Sequence, residues 1–198
     1  MRLPLLADGI LPLAVLAFAH AASAATVSGT VTIDGRPIRD IVVYLESNSG
    51  ATRPVVPTSH IVMDQRNLEF LPAVLPIVRG TTVDFTNNDD IQHNVFSPSA
   101  IAGKFDLGAY GPGATRSVTF NEPGEVLVLC NIHMEMEAHI VVLRDPYFAL
   151  STNDGRYQIS SVPPGNYTAK VWHGRFLPAR EVVVPENGDL ALDLPVKK

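Results

Sequence analysis

The stretch Cys130-Asn131-Ile132-His133-Met134-Glu135-Met136 decides the fold. It lies between residues 124–129 and residues 138–143, two apolar segments that each predict a strand. A thiolate, an imidazole and a thioether are therefore placed on one short loop between two strands. Soft sulfur ligands with imidazole suit copper, and a Cys-His-His site with a weak axial Met describes a blue copper centre. The second histidine must come from elsewhere, and His93 offers it upstream.

This pattern resembles a known family of copper proteins. C-x-x-H-x-x-M preceded by a distant His-Asn pair looks like the cupredoxins, and the short ligand loop is similar to that of amicyanin. Over about residues 59–145 the chain also resembles the cupredoxin-domain proteins labelled "methylamine utilization protein". The residues that carry this wider resemblance are Phe70-Leu71-Pro72, Asn87 to Asp90, His93-Asn94-Val95-Phe96-Ser97, Phe105-Asp106-Leu107-Gly108 and Cys130-Asn131-Ile132-His133.

The ligand set predicted from these motifs is one copper per chain bound by His93, Cys130, His133 and Met136. The loop holds two methionines, so its composition leaves the axial ligand open between Met134 and Met136. We predict Met136, because it lies three residues past His133 and lets the loop turn back toward the metal. Met134 would then face solvent or a docking partner.

The resemblance also implies roles for the residues around the copper. His93 is expected as the buried imidazole, and His133 as the exposed imidazole through which electrons pass. Asn94 would lie behind the ligands and join the two ligand loops by hydrogen bonds. Phe70 and Phe96 are expected in the core around the metal, whereas His60, His139 and His173 are expected to play no part in it.

Cys130 is the only cysteine of the chain, so it can form no internal disulfide. Such a residue is a small buried side chain, a nucleophile or a metal ligand. No hydrolase signature surrounds it, and a histidine and methionines follow at ligand spacing, so the ligand interpretation is favoured. A binuclear copper centre needs two cysteines and is excluded.

Residues 1–24 predict a secretory signal peptide. Arg2 supplies the positive end, residues 10–19 form a short apolar core, and Ala22-Ser23-Ala24 is an A-x-A cleavage site. A retained membrane anchor is the alternative, but the apolar core is too short to span a bilayer, and no later segment is long enough either. We therefore expect a periplasmic or secreted protein without a transmembrane segment.

The strand pattern predicts an all-β chain. Short alternating segments at 26–33, 41–45, 60–64, 75–78, 82–86, 92–96 and 116–120 are separated by turn residues, and no stretch keeps an apolar period of 3.6 residues. This is typical of a β-sandwich, here a Greek-key cupredoxin sandwich. With a net charge of −5 and no basic run, the chain is not expected to bind nucleic acid.

The tail differs from the middle of the chain. Ser151-Thr152-Asn153-Asp154-Gly155 and the strands after it resemble carboxypeptidase regulatory-like (prealbumin-like) modules, and residues 29–45 are similar to the opening strands of such modules. We therefore expect residues 26–50 and 147–198 to form one smaller prealbumin-like sandwich, with a cupredoxin domain at 56–146 inserted between them. Two domains in series are the alternative.

Four functions are compatible with these patterns. The first is a type 1 copper protein that carries single electrons to or from a redox partner protein and is not itself an enzyme. The others are a copper-handling or delivery protein that uses the two-methionine loop, an enzyme with an open copper position, and an envelope binding module with an accessory copper site.

Overall fold

The computed structural model describes residues 24–50, 57–100 and 104–197. The predicted signal peptide lies outside them except for Ala24, as do residues 51–56 and 101–103. The described residues form eighteen strands and no helix, which confirms the all-β prediction. No helix of the described residues could therefore cross a membrane.

The strands group into a central and an outer sandwich, which we define by their hydrogen-bonded sheets. The bounds in chain order are β1 (Ala25–Ile33), β2 (Arg36–Pro37), β3 (Val42–Ser47), β4 (Ile61–Arg66), β5 (Glu69–Leu71), β6 (Val74–Val78), β7 (Thr81–Asn87), β8 (His93–Ser97), β9 (Phe105–Tyr110), β10 (Thr115–Phe120), β11 (Gly124–Leu129), β12 (Glu137–Leu143), β13 (Phe148–Leu150), β14 (Arg156–Val162), β15 (Gly165–Trp172), β16 (Phe176–Val184), β17 (Leu190–Ala191) and β18 (Leu194–Val196).

The central sandwich contains β4 to β12. One sheet has the order β10-β7-β4-β5 and the other β6-β12-β11-β8-β9, with parallel pairs at β4–β7 and β6–β12. Every second residue of β7 is buried, as expected for a strand with one face on a core. Phe70, Phe85 and Phe120 fill the space between the sheets. Each fully buried side chain of this size stabilises the fold by about 1.5–3 kcal/mol.

The outer sandwich combines strands from both ends of the described chain. In one sheet β1 pairs with β14, and β2, β17 and β18 also pair with β1; the other has the order β13-β3-β15-β16. Val27 lies opposite Ile159, and Val43 lies opposite Val171, so the two chain segments share one core. The Asp-Gly turn before β14 packs directly on β1: a Cβ added at Gly155, whose φ is +75°, would lie 2.5 Å from the carbonyl oxygen of Val31.

Trp172 lies at the junction of the two sandwiches. It is buried together with Tyr44 of the outer sandwich and Val141 of the central one. Its Nε1–H donates to Oε2 of Glu125 on β11 at 3.2 Å, and its ring lies 5.1 Å from that of His139 on β12. The two sandwiches therefore meet through a small apolar cluster with the Trp172–Glu125 hydrogen bond at its edge.

Candidate copper site

Three neighbouring strands bring the predicted ligands together. β11 and β12 form a hairpin in which Leu129 lies opposite Glu137, and the seven residues between these strands are the ligand loop. Within it, the N–H of Met136 donates to the carbonyl of His133 at 3.1 Å, so the loop folds back on itself. On its other edge β11 pairs with β8 through Leu129 and Phe96, which brings His93 beside Cys130.

The structure places one ligand atom each from His93, Cys130 and His133 within 4.8 Å of one another. The two Nδ1 atoms are 3.0 Å apart, and the imidazole planes are inclined by 67°. Two nitrogens bonded to one ion at about 2.0 Å each, at a roughly tetrahedral angle, lie about 3.3 Å apart. The donor set and its spacing therefore fit a copper ion bound through Nδ1 of both histidines and through the thiolate.

The two methionines of the loop have opposite environments. Met136 is 1% exposed and belongs to the same core cluster as Cys130, whereas Met134 is 90% exposed. The structure thus places one thioether on the core side of the loop and the other in solvent.

Asn94 connects β8 to the ligand loop and to β9. Its backbone N–H points at Sγ of Cys130 at 3.4 Å, and its Oδ1 accepts the N–H of Asn131 at 3.4 Å. Its Nδ2 donates to Asp106 at 2.7 Å. The pKa of Asp106 is lowered from its usual value. The main cause is the hydrogen bond from the Gly108 N–H, and the second is the hydrogen bond from the Asn94 amide. The side chain of Asn94 is thereby fixed from both sides, as expected of a residue that joins the two ligand loops.

Asp89 also lies at the site, although no sequence pattern described above indicates it. Its Oδ2 lies 2.8 Å from Nε2 of His93, the ring nitrogen that faces away from His133. The backbone N–H groups of Asn67 and Leu68 also donate to this carboxylate, at 2.7 and 3.0 Å. The Leu68 hydrogen bond is the main reason that the pKa of Asp89 is lowered. The signal in the sequence is a carboxylate four residues before a predicted ligand, which is weak because acidic residues are also common in turns.

The other predicted neighbours of the site divide into core and surface residues. Phe70 is buried in the same cluster as Cys130, but Phe96 is only half-buried, and Val95 takes the core position beside it. His60 lies 2.9 Å from Asp84, and His139 lies between two glutamates. Within the described ranges His93, Cys130 and His133 are the one group of three ligand-type residues close enough to hold a metal.

Residues 57–143 match the sequence model of the family described as "Copper binding proteins, plastocyanin/azurin family". The match covers less than half of the chain and coincides with the central sandwich. This segment is therefore a cupredoxin domain, which confirms that part of the resemblance. The methylamine-utilization label and the prealbumin-like module stay predictions.

Solved copper proteins are among the similar structures. A purple cupredoxin from Nitrosopumilus maritimus is 22% identical over 42% of this chain and 99% of its own, with a TM-score of 0.38. A mutant of amicyanin in its reduced state is 24% identical over 51% of this chain and 98% of its own, with a TM-score of 0.41. A copper-containing nitrite reductase from Thermus scotoductus SA-01 is 27% identical over 46% of this chain, with a TM-score of 0.41, and only 25% of its chain is covered.

Proposed function

We propose that the protein is an exported mononuclear type 1 copper protein that carries single electrons. The convergence of His93, Cys130 and His133 within 4.8 Å, in a segment that matches a copper-binding family, supports this most directly. Bound copper would supply the one-electron redox couple. We assign one copper per chain, with Met136 as the axial ligand because it is the buried methionine of the loop.

The chain around the ligands is suited to a fast electron carrier. Cys130 is buried at the end of β11, and His93 is fixed on the neighbouring strand. Ligands anchored in hydrogen-bonded strands move little when the charge at the site changes, which keeps the reorganisation small. The N–H of Asn94 at Sγ of Cys130 stabilises the thiolate by a hydrogen bond to charge.

Electrons would enter and leave through His133. It is half-buried on the loop, and its neighbours Ile132 and Met134 are exposed. An apolar rim of this kind can contact a redox partner protein and exclude water between the two redox centres. Glu135 adds a negative charge to the rim and favours a partner that carries basic residues there.

Copper handling is the second candidate, and the exposure of Met134 favours it. A thioether that is 90% exposed beside His133 is a soft ligand available to Cu(I) from another protein. A delivery protein would exchange copper with a partner and show no stable blue cupric form. An electron carrier would keep its copper through redox cycles.

The deciding experiment is the visible and EPR spectrum of the purified protein with Cu(II). We expect an intense thiolate charge-transfer band and a narrow copper hyperfine splitting, both lost in Cys130→Ser. A colourless wild-type protein with Cu(II), or a coloured Cys130→Ser variant, would contradict the type 1 assignment. The other candidate functions predict different results. A copper-delivery protein should transfer copper rapidly to a Cu(I) chelator, and an enzyme should hold an exchangeable copper-bound water. A binding module should capture its partner without metal.

The export proposal has a separate test. Cleavage after Ala24 would give a mature protein that begins at Ala25, the first residue of β1. Mass spectrometry of the protein from a periplasmic or secreted fraction should therefore show an N-terminus at this residue. An intact N-terminus in the cytoplasmic fraction would contradict export.

We also propose that the outer sandwich, residues 26–50 and 147–198, is a prealbumin-like domain and that the cupredoxin domain, 56–146, is inserted into it. The pairing of β1 with β14 and of β3 with β15 supports this division. If residues 52–145 are replaced by a short Gly/Ser linker, the outer sandwich should still fold. An unfolded product, judged by NMR dispersion, together with folding and copper binding by residues 26–145 alone, would indicate two domains in series.

A further inference from the structure

Within the described residues, Asp89 is the polar residue that contacts a predicted ligand histidine at the ring nitrogen facing away from the site. His93 is 0% exposed, and its Nε2 lies 2.8 Å from Oδ2 of Asp89. A carboxylate can only accept, so Nε2 must carry the proton. In neutral imidazole the lone pair is then on Nδ1, the atom that faces His133. The contact thus selects the tautomer that can bind a metal at the site.

The carboxylate of Asp89 is itself fixed by a turn of the opposite sheet. Asn67 and Leu68 lie between β4 and β5, have φ values of 55° and 62°, and both donate their backbone N–H to Asp89. With the His93 contact, the two oxygens accept three hydrogen bonds from N–H groups. Such an environment favours the ionised carboxylate over the protonated acid.

We propose that Asp89 is a positioning residue that fixes the tautomer and orientation of His93 and favours the cupric over the cuprous state of the site. A hydrogen bond from the far nitrogen to an anion makes the imidazole a stronger donor, and the negative charge stabilises the higher charge of Cu(II). The β4–β5 turn extends this support to the opposite sheet of the central sandwich. The inference rests on the proposed copper function.

The first test compares Asp89→Asn with Asp90→Asn. Both variants remove one carboxylate from the same loop, but Asp90 is exposed, and no hydrogen bond from it to His93 is present in the described structure. Loss of such an outer contact commonly lowers metal affinity by tenfold to a hundredfold. We expect Cu(II) affinity to fall at least tenfold in Asp89→Asn, and Cu(I) affinity to change less. If the Cu(II) affinity falls tenfold more than the Cu(I) affinity, the one-electron reduction potential rises by about 59 mV.

Asp89→Glu tests whether the charge or the shape of the side chain is responsible. It keeps the carboxylate, and its potential should lie nearer to that of the wild type than to that of Asp89→Asn. Equal potential shifts in Asp89→Asn and Asp90→Asn would overturn the inference, because they would reflect the general charge of the loop and no specific contact.

The second test uses the protein without copper. Nitrogen NMR of the imidazoles should show the Nε2–H tautomer of His93 in the wild type and in Asp90→Asn, and a mixture of tautomers in Asp89→Leu. The overall spectrum shows whether each variant is folded. A single Nε2–H tautomer in a folded Asp89→Leu protein would overturn the role of Asp89. Failure of the proposed function would be recognised separately, by a wild-type protein that forms no thiolate band with Cu(II).

Discussion

The two imidazoles of the site are held in different ways. His93 belongs to β8, is completely buried, and has Asp89 on the nitrogen that faces away from the site. His133 belongs to the loop after β11, is half-buried, and follows the exposed Ile132. One half of the site is therefore part of the protein core, and the other half is part of its surface.

This difference separates two requirements that the proposed redox site would have to meet. The strand half would fix the position of the proposed copper, because moving His93 would disturb β8, its sheet neighbours and the β4–β5 turn. The loop half would provide contact with the proposed redox partner, because a side chain that reaches the surface shortens the path to another protein. Asn94 joins the halves through its contacts to Cys130 and Asn131.

The largest expected effect is the loss of the thiolate charge-transfer band when each imidazole is removed in turn. In His133→Gly, added imidazole can enter from solvent, so the thiolate band should return when millimolar imidazole is supplied with Cu(II). In His93→Gly, the space lies inside the core, where added imidazole has no path from solvent, so it should restore little of the band. Visible spectra of both variants with and without imidazole make the measurement. Equal rescue of both would contradict the difference in burial that separates the halves.

The two methionines give a smaller and more specific effect. Met136→Leu removes the buried thioether at nearly constant volume, and the reduction potential should shift because the axial ligand tunes it. Met134→Leu changes a side chain that is 90% exposed, so it should leave the potential almost unchanged and alter the rate of exchange with a partner. Protein-film voltammetry of the two variants provides the comparison. A larger potential shift in Met134→Leu would reverse the axial assignment.

The smallest expected effect is on the free energy of unfolding. It comes from Asp106, which holds the Asn94 side chain that joins the two halves of the site. The pKa of Asp106 is lowered in the folded protein, chiefly by the Gly108 N–H and then by the Asn94 amide. A depressed acid pKa stabilises the fold above the unfolded pKa, about 3.9 for Asp, and this contribution is lost as pH falls through the folded value.

Asp106→Asn should therefore lower the free energy of unfolding at pH 7 and reduce its dependence on pH below about 4. Urea unfolding of the copper-free protein between pH 3 and 7 measures both quantities, with Asp90→Asn as the matched control. Parallel pH profiles for the wild type and Asp106→Asn would show that the Asp106 contact adds nothing to stability.

The ligand loop could be predicted from sequence because its information is local. Cys130, His133 and Met136 lie within seven residues, and alternating apolar residues on both sides indicate the two strands of the hairpin. Most predicted strands agree with the observed ones to within a few residues for the same reason. The choice between Met134 and Met136 depends on burial, which sequence spacing could suggest but not establish.

The features that the sequence patterns do not indicate are mainly contacts between segments that are distant in the chain. Asp89 reaches the β4–β5 turn more than twenty residues earlier, and no periodic pattern reports such a pairing. The strand β9 was not predicted because Gly108 and exposed residues interrupt its alternation, although it lies beside β8 and carries Asp106. The pairing of segment 41–45 with β15, more than a hundred residues later, was expected only from the resemblance to prealbumin-like modules, because no local pattern indicates it.

The pairing of β1 with β14 has a consequence for the order of assembly. The chain is synthesised from its N-terminus, so β1 is made long before β14. The two strands cannot pair until β14 is available, because Val27 lies opposite Ile159. All strands of the copper-binding domain emerge during that interval and can close their own core first. Contacts of such long sequence separation form slowly, since the intervening chain has to be closed into a loop. A polypeptide that stops before Arg156 would therefore keep all residues of the proposed copper site but leave the apolar face of β1 uncovered, a state that proteases and chaperones recognise.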